Sequence, residues 1–535
     1  MRSMTNSPTS TKDSRRAGLN RWAYGFVRTA AVVLMSAAAS AQSLDARISS
    51  VINSKQSLQS ATIGVHVRDA GTGDSLFGSG ESKPLIPASN MKLITTGAAL
   101  RVLGPDKFFE TRFGWDGDRI VIIGDGDPGL GDPALLDSSE PATTVDEMLD
   151  TLAAALAKSG HTKASAIEID DRVLDRQYVH PDWPIDQLNR WYCAEVSGIN
   201  FHTNCLSFFF DASRSSGASP GGSPDLRLQP SIDGIGRWLT VENKGKVVKD
   251  GRHTAWVARA AGARPANDYT VFGNVRMGGS AMVDVAVHEP GKVLGYLLAE
   301  RLEKLGVKVE RDPQGLANIT LADGEAVYED FEPAAVVRTS MTDVLRRANT
   351  NSQNLYTEAL IKRIGHEITR EPGSWNSGAS VVRMLLAEDL GPSHATNTKI
   401  DDGSGMSRGN RVAPETMTAW LGNLLRRPGI GEALLASMPS PGTGTLRKRF
   451  KDTDLTNDVF AKTGTINGVR GLSGFVITPD RAHAVAFSVL INDIEHGSQI
   501  RDALNLHEEV VVAIDGWLAD VAPARKKDAA DALGG

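Results

Sequence analysis

The chain has 535 residues, which at roughly 150 residues per domain is too long for one compact core and suggests about three domains. Lysine and arginine number 58 against 64 aspartate and glutamate, so the net charge of −6 disfavours nucleic acid as a partner. Apolar residues make up 41% and charged residues 23%, which is typical of a globular protein and excludes general disorder.

Residues 1–41 have the pattern of a secretory signal peptide. Residues 14–28 contain arginines but no acidic residue, and residues 29–41 read TAAVVLMSAAASA. An apolar stretch of about 12 residues cannot cross a bilayer core that needs about 20. We therefore expect cleavage near Ala41 and a soluble periplasmic or secreted protein without a transmembrane anchor.

Cysteine and histidine usage bounds the disulfide and metal chemistry. Two cysteines, Cys193 and Cys205, exclude a disulfide scaffold and a four-cysteine zinc site. Outside the cytoplasm they could form one disulfide worth roughly 3 kcal/mol in the chain-entropy model, with two separate buried thiols as the alternative. The histidines never fall at i, i+3 or i+4 on one helix, so we predict no metal site and no cofactor.

The predicted elements indicate a mixed α and β protein. A buried helix is expected at 90–103, between strands at 61–68 and 118–123. From 200 to 290 helical periodicity fades and short strands alternate with Gly, Pro and Ser clusters, which favours a β-rich unit. The later expected elements are helices at 292–305, 341–366, 377–390 and 415–427, strands at 471–477 and 484–491, and a last helix near 508–518.

Two short patterns are rejected as functional motifs. Residues 124–129 (GDGDPG) satisfy G-x-G-x-x-G, but Asp125 and Asp127 would repel a pyrophosphate and Pro128 lacks a backbone N–H. This stretch is interpreted as a tight loop. Residues 217–221 (GASPG) match G-x-S-x-G, but lie in a segment too polar and too rich in glycine to hold the strained elbow of that motif.

Ser89 and Lys92 form the only Ser-x-x-Lys sequence in the chain, where a loop runs into a predicted helix. A spacing of three places both side chains on one helical face. Serine becomes nucleophilic when a base removes its proton, and lysine can do this when burial or a second cation lowers its pKa. The pattern predicts a nucleophile and its base, with an N-cap serine as the alternative.

Lys462, Thr463 and Gly464 form the only Lys-Thr-Gly sequence, which leads through Thr465 towards a predicted strand. A strand edge offers backbone hydrogen bonds to an extended peptide, and glycine allows the peptide to come close. The lysine supplies a cation for a carboxylate. These residues therefore predict a peptide-binding edge.

Ser352 and Asn354 lie between the two other motifs, beside an apolar helix. The hydroxyl can relay a proton, and the amide can bind a peptide carbonyl. Ser374 and Asn376 fit the same short pattern, but they are interpreted as part of a helix cap.

These three motifs in this order resemble those of the D-alanyl-D-alanine carboxypeptidase/endopeptidase family of low-molecular-mass penicillin-binding proteins, peptidase family S13. The resemblance covers nearly the whole mature chain. It implies an α+β fold in which a transpeptidase domain like that of penicillin-binding proteins and β-lactamases has an antiparallel sheet flanked by helices. The matching stretches are PASNMKLITTGAAL at 87–100, GDGDPGL at 124–130, NSQNLYTEALIK at 351–362, DDGSGMSR at 401–408 and the motif-bearing stretch 444–475.

About 260 residues separate Ser89 from Ser352, which implies inserted β-rich domains between these motifs. The expected boundaries are a signal peptide at 1–41, catalytic segments at 42–108 and 332–521, accessory domains at 109–331 and a mobile tail at 522–535.

The resemblance implies the role of each motif residue. Ser89 is acylated by the penultimate D-alanine with Lys92 as general base, while Ser352 relays the leaving-group proton and Asn354 holds the substrate. Different residues are implied to bind the terminal carboxylate of the substrate and the oxyanion formed during acylation. The carboxylate is implied to bind Lys462, Thr463 and Thr465, beside Gly464. The oxyanion is implied to bind the N–H groups of Ser89 and Thr465. Lys462 is also implied to keep Lys92 neutral.

Specificity residues are implied by the same resemblance. Asp186, with Asp182 as the alternative, is expected to bind the free end of the stem peptide together with Arg408. Asn467 occupies a position where family members vary. Gln353 departs from the usual aspartate at the middle of its motif, but that side chain does not react.

The implied function is that of a serine-type D-Ala-D-Ala carboxypeptidase or DD-endopeptidase acting on peptidoglycan stem peptides and acylated by β-lactam antibiotics. A serine β-lactamase is one alternative, although the class A deacylation motif is not evident and class C enzymes carry Tyr-x-Asn. A non-catalytic penicillin-binding sensor is the other, weakened because every reactive position is intact.

Overall fold

The computed structural model describes residues 43–213, 219–232, 238–260, 267–495 and 497–533, with side chains described up to residue 521. The expected signal peptide and part of the G-x-S-x-G stretch lie outside these residues. Within them, no helix combines the length and the apolar character needed to cross a membrane.

The helices of the described chain are numbered in order. They are α1 (Leu44–Ser54), α2 (Met91–Leu103), α3 (Pro133–Asp137), α4 (Val145–Ala157), α5 (Pro290–Lys304), α6 (Met341–Asn349), α7 (Asn354–Thr369), α8 (Trp375–Leu390), α9 (Pro392–Thr396), α10 (Pro414–Leu425), α11 (Ile430–Ser437) and α12 (Gly497–Leu533).

The strands are numbered in the same way. They are β1 (Thr62–Asp69), β2 (Ser75–Ser79), β3 (Phe108–Asp116), β4 (Arg119–Gly124), β5 (Lys163–Ala164), β6 (Ile167–Asp170), β7 (Cys205–Asp211), β8 (Asp225–Gln229), β9 (Thr240–Asn243), β10 (Lys246–Val248), β11 (Trp256–Arg259), β12 (Asp268–Phe272), β13 (Asn274–Arg276), β14 (Ser280–Ala286), β15 (Lys308–Val309), β16 (Ile319–Leu321), β17 (Phe331–Ser340), β18 (Asp458–Ile466), β19 (Val469–Ile477) and β20 (Ala484–Asn492).

A five-stranded antiparallel sheet in the order β18-β19-β20-β1-β2 joins the two ends of the described chain. Side chains alternate across it, because successive residues of a strand point to opposite faces. Val485 and Phe487 of β20 belong to the hydrophobic core that includes residues of α1 and α12, whereas Ala486 belongs to the core that includes residues of α2, α7 and α10. Helices therefore cover both faces, which confirms the predicted α+β class.

The inserted region has its own hydrophobic core. A five-stranded sheet in the order β16-β6-β4-β3-β17 packs against α4 and α5, so this region is not built from strands alone. The β-rich unit predicted from 200 to 290 forms smaller sheets, β14-β7-β8, β11-β12-β9 and β10-β13. Strand β17 pairs with β3 along its length up to Ser340, so the boundary expected at 331 falls at the start of a strand of the inserted region.

Three local expectations differ from the structure. The helical pattern at 341–366 is two helices, α6 and α7, because residues 350–353 interrupt it and Ser352 adopts a left-handed φ of 60°. The last helix, α12, is longer than expected and continues into the segment expected to be a tail. Cys193 and Cys205 are free thiols, both buried, in different hydrophobic clusters, so the short-loop disulfide is not formed.

Candidate active site

Ser89 lies in the 3-10 turn Ala88–Asn90, directly before α2. This turn is held against β19 by Asn90, whose Nδ2 donates to Ser473 Oγ at 2.6 Å. Strand β18 also comes close, because a Cβ added at Gly464 would lie 2.6 Å from the carbonyl oxygen of Pro87. The glycine of the Lys-Thr-Gly motif is therefore required for the edge strand to approach the serine turn.

Lys92 lies one helical turn after the serine and is fully buried. Its Nζ is 3.4 Å from Ser89 Oγ. It donates to Asn354 Oδ1 at 2.7 Å and to the carbonyl oxygen of Ser404 at 2.9 Å. The structure thus brings the first two motifs together around one amine.

Burial lowers the pKa of Lys92 to about 8, while Glu358 and Asp402 act in the opposite direction. Burial also lowers the pKa of Lys462 well below its usual value, and repulsion from Lys92 adds to this effect. The sequence expectation was that Lys462 keeps Lys92 neutral. In the structure burial is the largest cause of the lowered pKa at both lysines, and since repulsion between two ammonium groups is mutual, each amine disfavours the charged form of the other.

Lys462 joins the second and third motifs. Its Nζ donates to Ser352 Oγ at 2.8 Å and to the carbonyl oxygen of Thr463 at 3.0 Å. Because the Ser352 oxygen accepts a hydrogen bond from the lysine, its own proton is available to another acceptor. The left-handed backbone of Ser352 lies in the break between α6 and α7, as expected of strain kept at a functional site.

Asn354 is the first residue of α7, and its amide is held from two sides. Its Oδ1 accepts from Lys92, and its Nδ2 donates to the carbonyl oxygen of Tyr192 at 2.7 Å. Tyr192 belongs to the inserted region, so that region helps to orient a side chain of the second motif.

A cleft of about 490 Å³ lies over these residues. The predicted site residues that line it are Ser89, Ser352, Asn354, Arg408, Thr465 and Asn467. The sequence analysis did not predict the rest of the wall of this cleft. The aromatic pair at 191–192, close to Asp186, could have indicated it. That wall consists of Pro184, Gln187, Trp191, Tyr192, Gly405, Met406 and Ile466.

The predicted specificity residues lie at the edge of the cleft. Arg408 is exposed, and its Nη1 donates to the carbonyl oxygen of Asn467 at 2.7 Å. Asp186 is exposed in the turn Ile185–Gln187, next to lining residue Gln187 but not itself in the lining. The structure therefore brings Arg408 and Asn467 together and leaves Asp186 beside the opening.

Asp182, the alternative to Asp186, lies near His180 and Asp401, a group with the composition of a metal site. The ring of His180 is already occupied, because Nε2 bonds the carbonyl oxygen of Asp401 at 2.9 Å and Nδ1 bonds the Asp182 N–H at 3.2 Å. This group does not fit a metal ion, since neither histidine nitrogen is available as a ligand.

The GDGDPG loop and the second Ser-x-Asn sequence, which were not assigned to the site, have structural roles. Asp125 of the GDGDPG loop pairs with Lys107 and with Arg363 of α7, so the loop fastens the inserted region to the helix that begins at Asn354. Ser374 is the N-cap of α8, which confirms the interpretation of the second Ser-x-Asn sequence as a cap.

An edge strand that carries a lysine, facing a serine–lysine pair at the start of a buried helix, defines a serine peptidase with the fold of penicillin-binding proteins. A crystal structure of penicillin binding protein 4 (dacB) from Haemophilus influenzae superimposes with a TM-score of 0.67, at 21% identity, over 86% of this chain and 99% of that one. The model of the D-Ala-D-Ala carboxypeptidase 3 (S13) family matches residues 44–511. The chain belongs to this family and is a serine carboxypeptidase.

Two relatives show the extent of the similarity. The D-alanyl-D-alanine carboxypeptidase of Actinomadura sp. (strain R39) is 30% identical over 459 residues, covering 81% of this chain and 78% of the relative. The D-alanyl-D-alanine carboxypeptidase DacB of Haemophilus influenzae is 24% identical over 428 residues, covering 77% and 81%. A second structure of the Haemophilus influenzae protein, with a TM-score of 0.62, holds a bound β-lactam.

Proposed function

We propose that the chain cleaves the D-alanyl-D-alanine bond of peptidoglycan stem peptides, and cross-links of the same kind, through an acyl intermediate on Ser89. The observation that carries this proposal is the assembly of the three motifs at one cleft. Ser89, Ser352 and Asn354 line the cleft, Lys92 contacts Ser89 and Asn354, and Lys462 contacts Ser352. The names of the relatives support the choice of substrate.

In the acylation step, Ser89 Oγ bonds to the carbonyl carbon of the penultimate D-alanine, and its proton passes to the neutral amine of Lys92. The N–H groups of Ser89 and Thr465 stabilise the oxyanion. The carbon–nitrogen bond then breaks, and the leaving amine takes a proton from Ser352. Lys462 gives Ser352 a new proton through their 2.8 Å hydrogen bond. Water then attacks the ester carbonyl, and its proton passes through Ser352 back to Lys462. Lys92 returns its proton to Ser89 Oγ as the ester carbon–oxygen bond breaks, which frees the product and regenerates the serine.

A β-lactam reacts in the same first step, since its strained carbonyl is attacked by Ser89 and its ring nitrogen is the leaving group. Intact-protein mass after exposure to penicillin is expected to rise by one adduct, and Ser89→Ala is expected to abolish the increase. Ser374→Ala is the matched control, because it removes a serine of a similar short motif that only caps a helix. An adduct that persists in Ser89→Ala contradicts the proposal.

Purified muropeptides separate this function from its alternatives. Digestion of monomeric and cross-linked muropeptides, read by mass spectrometry, is expected to show loss of terminal D-alanine or opening of cross-links. Binding of penicillin without any cleavage would indicate a non-catalytic sensor. Rapid turnover of a chromogenic cephalosporin would indicate a β-lactamase, because that activity needs fast hydrolysis of the acyl-serine.

Substrate recognition is proposed to use both the edge strand and the edge of the cleft. Thr463, Gly464 and Thr465 bind the terminal carboxylate together with Lys462, since β18 is the edge strand of its sheet. Asp186 pairs with the free ammonium of the diamino acid in the stem peptide. Arg408 and Asn467, which are joined by a hydrogen bond, contribute to binding this free end of the stem peptide.

The mature chain is proposed to act outside the cytoplasm after removal of residues 1–41. The support is the arginine-rich and apolar N-terminal sequence, together with a substrate that lies in the cell wall. N-terminal sequencing of the exported protein is expected to give Gln42 or a close neighbour. A mature protein that keeps Arg15 and Arg16 contradicts this proposal.

A further inference from the structure

Glu358 is a buried carboxylate that the proposed reaction does not use. It lies one turn after Asn354 on α7 and is fully buried. Its Oε1 accepts from the Ser404 N–H at 2.7 Å, and its Oε2 accepts from the Gly403 N–H at 2.9 Å and from Trp375 Nε1 at 2.8 Å. Three donors on two other segments are thus gathered on one side chain.

The backbone that Glu358 holds is the backbone that contacts the proposed base. The carbonyl oxygen of Ser404 accepts from Lys92 Nζ at 2.9 Å. The next residue, Gly405, packs so tightly on the serine turn that a Cβ there would collide with the carbonyl oxygen of Ala88. Moving the Ser404 peptide therefore moves an acceptor of the lysine and disturbs the turn before the nucleophile.

Hydrogen-bond valence gives this contact a specific role. A neutral amine has two N–H donors and one lone pair. At Lys92 the two donors are taken by Asn354 Oδ1 and the Ser404 carbonyl, which leaves the lone pair for the proton of Ser89, whose Oγ is 3.4 Å away. The Ser404 acceptor depends on Glu358, which binds the N–H of the same residue, whereas the Asn354 amide is held separately by the Tyr192 carbonyl.

We propose that Glu358 is a positioning residue for Lys92, which holds the Ser404 carbonyl in place and so directs the lone pair of the lysine towards Ser89. The inference rests on the proposed function, because it assigns Lys92 the role of base. It goes beyond that function by naming a residue outside the three motifs on which the orientation of the base depends.

The charge of Glu358 gives this role a measurable signature. Together with Asp402 it raises the pKa of Lys92 against the effect of burial. Removing the charge therefore lowers the pKa of Lys92, so the neutral amine is present at lower pH. Burial raises the pKa of Glu358 itself to about 7, and Asp402 adds to this. The groups that face Lys92 or Glu358 from neighbouring elements are Asp402, Lys462, Lys362 and Cys193.

The test is the rate constant for acylation by penicillin, measured from about pH 5 to pH 10 on the full chain. In Glu358→Gln we expect the high-pH plateau to fall about tenfold or more and the inflection to move to lower pH. Glu358→Asp keeps the charge but withdraws it by one methylene, so its plateau should fall while its inflection stays near that of the unmodified chain.

Asp515→Asn is the matched control. Asp515 is also buried and accepts backbone N–H groups, from Thr456 and Asn457, without contacting the site, and both quantities should be unchanged.

Thermal unfolding of each variant shows whether it folds. If Glu358→Gln does not fold, Glu358→Asp decides alone, and a full plateau rate in that variant overturns the proposal. A folded Glu358→Gln whose inflection matches that of the unmodified chain also overturns it, whatever its rate, since a purely structural loss does not move a pH profile. Failure of the proposed function is distinguishable, because the unmodified chain would then form no adduct at Ser89.

Discussion

The floor residues line the cleft (Ser89, Ser352 and Asn354) or lie buried behind it (Lys92 and Lys462), and the rim residues are Arg408, Asn467 and the neighbouring Asp186. The two groups differ in how their charged side chains are held. Both floor lysines are fully buried, and each contacts at least two protein oxygens. The charged rim residues are exposed. The groups proposed to react are therefore preorganised by the protein, whereas the charged groups proposed to recognise substrate are exposed to it. Substitutions on the floor should cause the larger losses of activity, and those on the rim small losses that depend on the substrate.

Replacing the base tests the floor most severely. Lys92→Met should lower acylation by penicillin and cleavage of stem peptides by about 10³-fold or more, because a nucleophile and its base act as one unit. Lys55→Met is the control, since Lys55 is also largely buried but pairs with Glu509 away from the cleft. Rates are measured per folded molecule. A Lys92→Met enzyme within tenfold of the control would show that another group takes the serine proton.

The close contact beneath the nucleophile is tested by Gly405→Ala. The new Cβ would collide with the Ala88 carbonyl and displace the serine turn, so we expect about a 10²-fold loss of acylation. Gly442→Ala is matched in backbone, because Gly442 also has a positive φ, of 87°, but nothing lies within 4 Å of an added Cβ. Equal rates for the two variants would mean that the contact does not position Ser89.

Lys462 belongs to the floor but is also assigned a role in binding. Lys462→Ala should weaken cleavage of carboxylate-bearing peptides by about ten- to a hundredfold, the range of a charge-assisted hydrogen bond. Small activated esters without a carboxylate should lose less. Steady-state rates on both substrates measure the difference. Equal losses would place Lys462 in proton transfer alone, through its bond to Ser352.

The smallest effect is expected at the rim. Asp186→Asn should lower kcat/KM for a stem-peptide mimic by about ten- to thirtyfold while penicillin acylation stays the same, because penicillin lacks the ammonium group. Parallel rate measurements on the two compounds check this. If both rates fall alike, Asp186 is structural and Asp182 is the next residue to replace.

The mixed α and β character was predictable from local periodicity and the motif residues of the floor from short sequence patterns, whereas the α+β fold itself was implied by the family resemblance of those motifs. Alternating strands and short motifs at helix starts led to Ser89, Lys92 and the Lys-Thr-Gly strand before any contact was known. Helix α4 was not among the predicted elements, although Thr144 and Glu147 form a capping box that marks its start.

What the sequence did not show depends on contacts between distant segments. Nothing local marks the Tyr192 carbonyl as the partner of Asn354, or Glu358 as the anchor of the Ser404 turn. The break at Ser352 was hidden because apolar residues continue on both sides of it. The cysteines were ambiguous for the same reason, since a spacing along the chain does not report a distance in space.

The hydrogen bond from Asn354 to Tyr192 bears on the order in which the protein is made and folded. That bond spans 162 residues, the Lys92–Asn354 bond spans 262, and the Lys462–Ser352 bond spans 110. Contacts between such distant residues require large loops to close and are slow to form. Ser89 is also translated well before Lys462. We expect the growing chain to carry an inert serine throughout synthesis, with reactivity appearing only when the last strands pair.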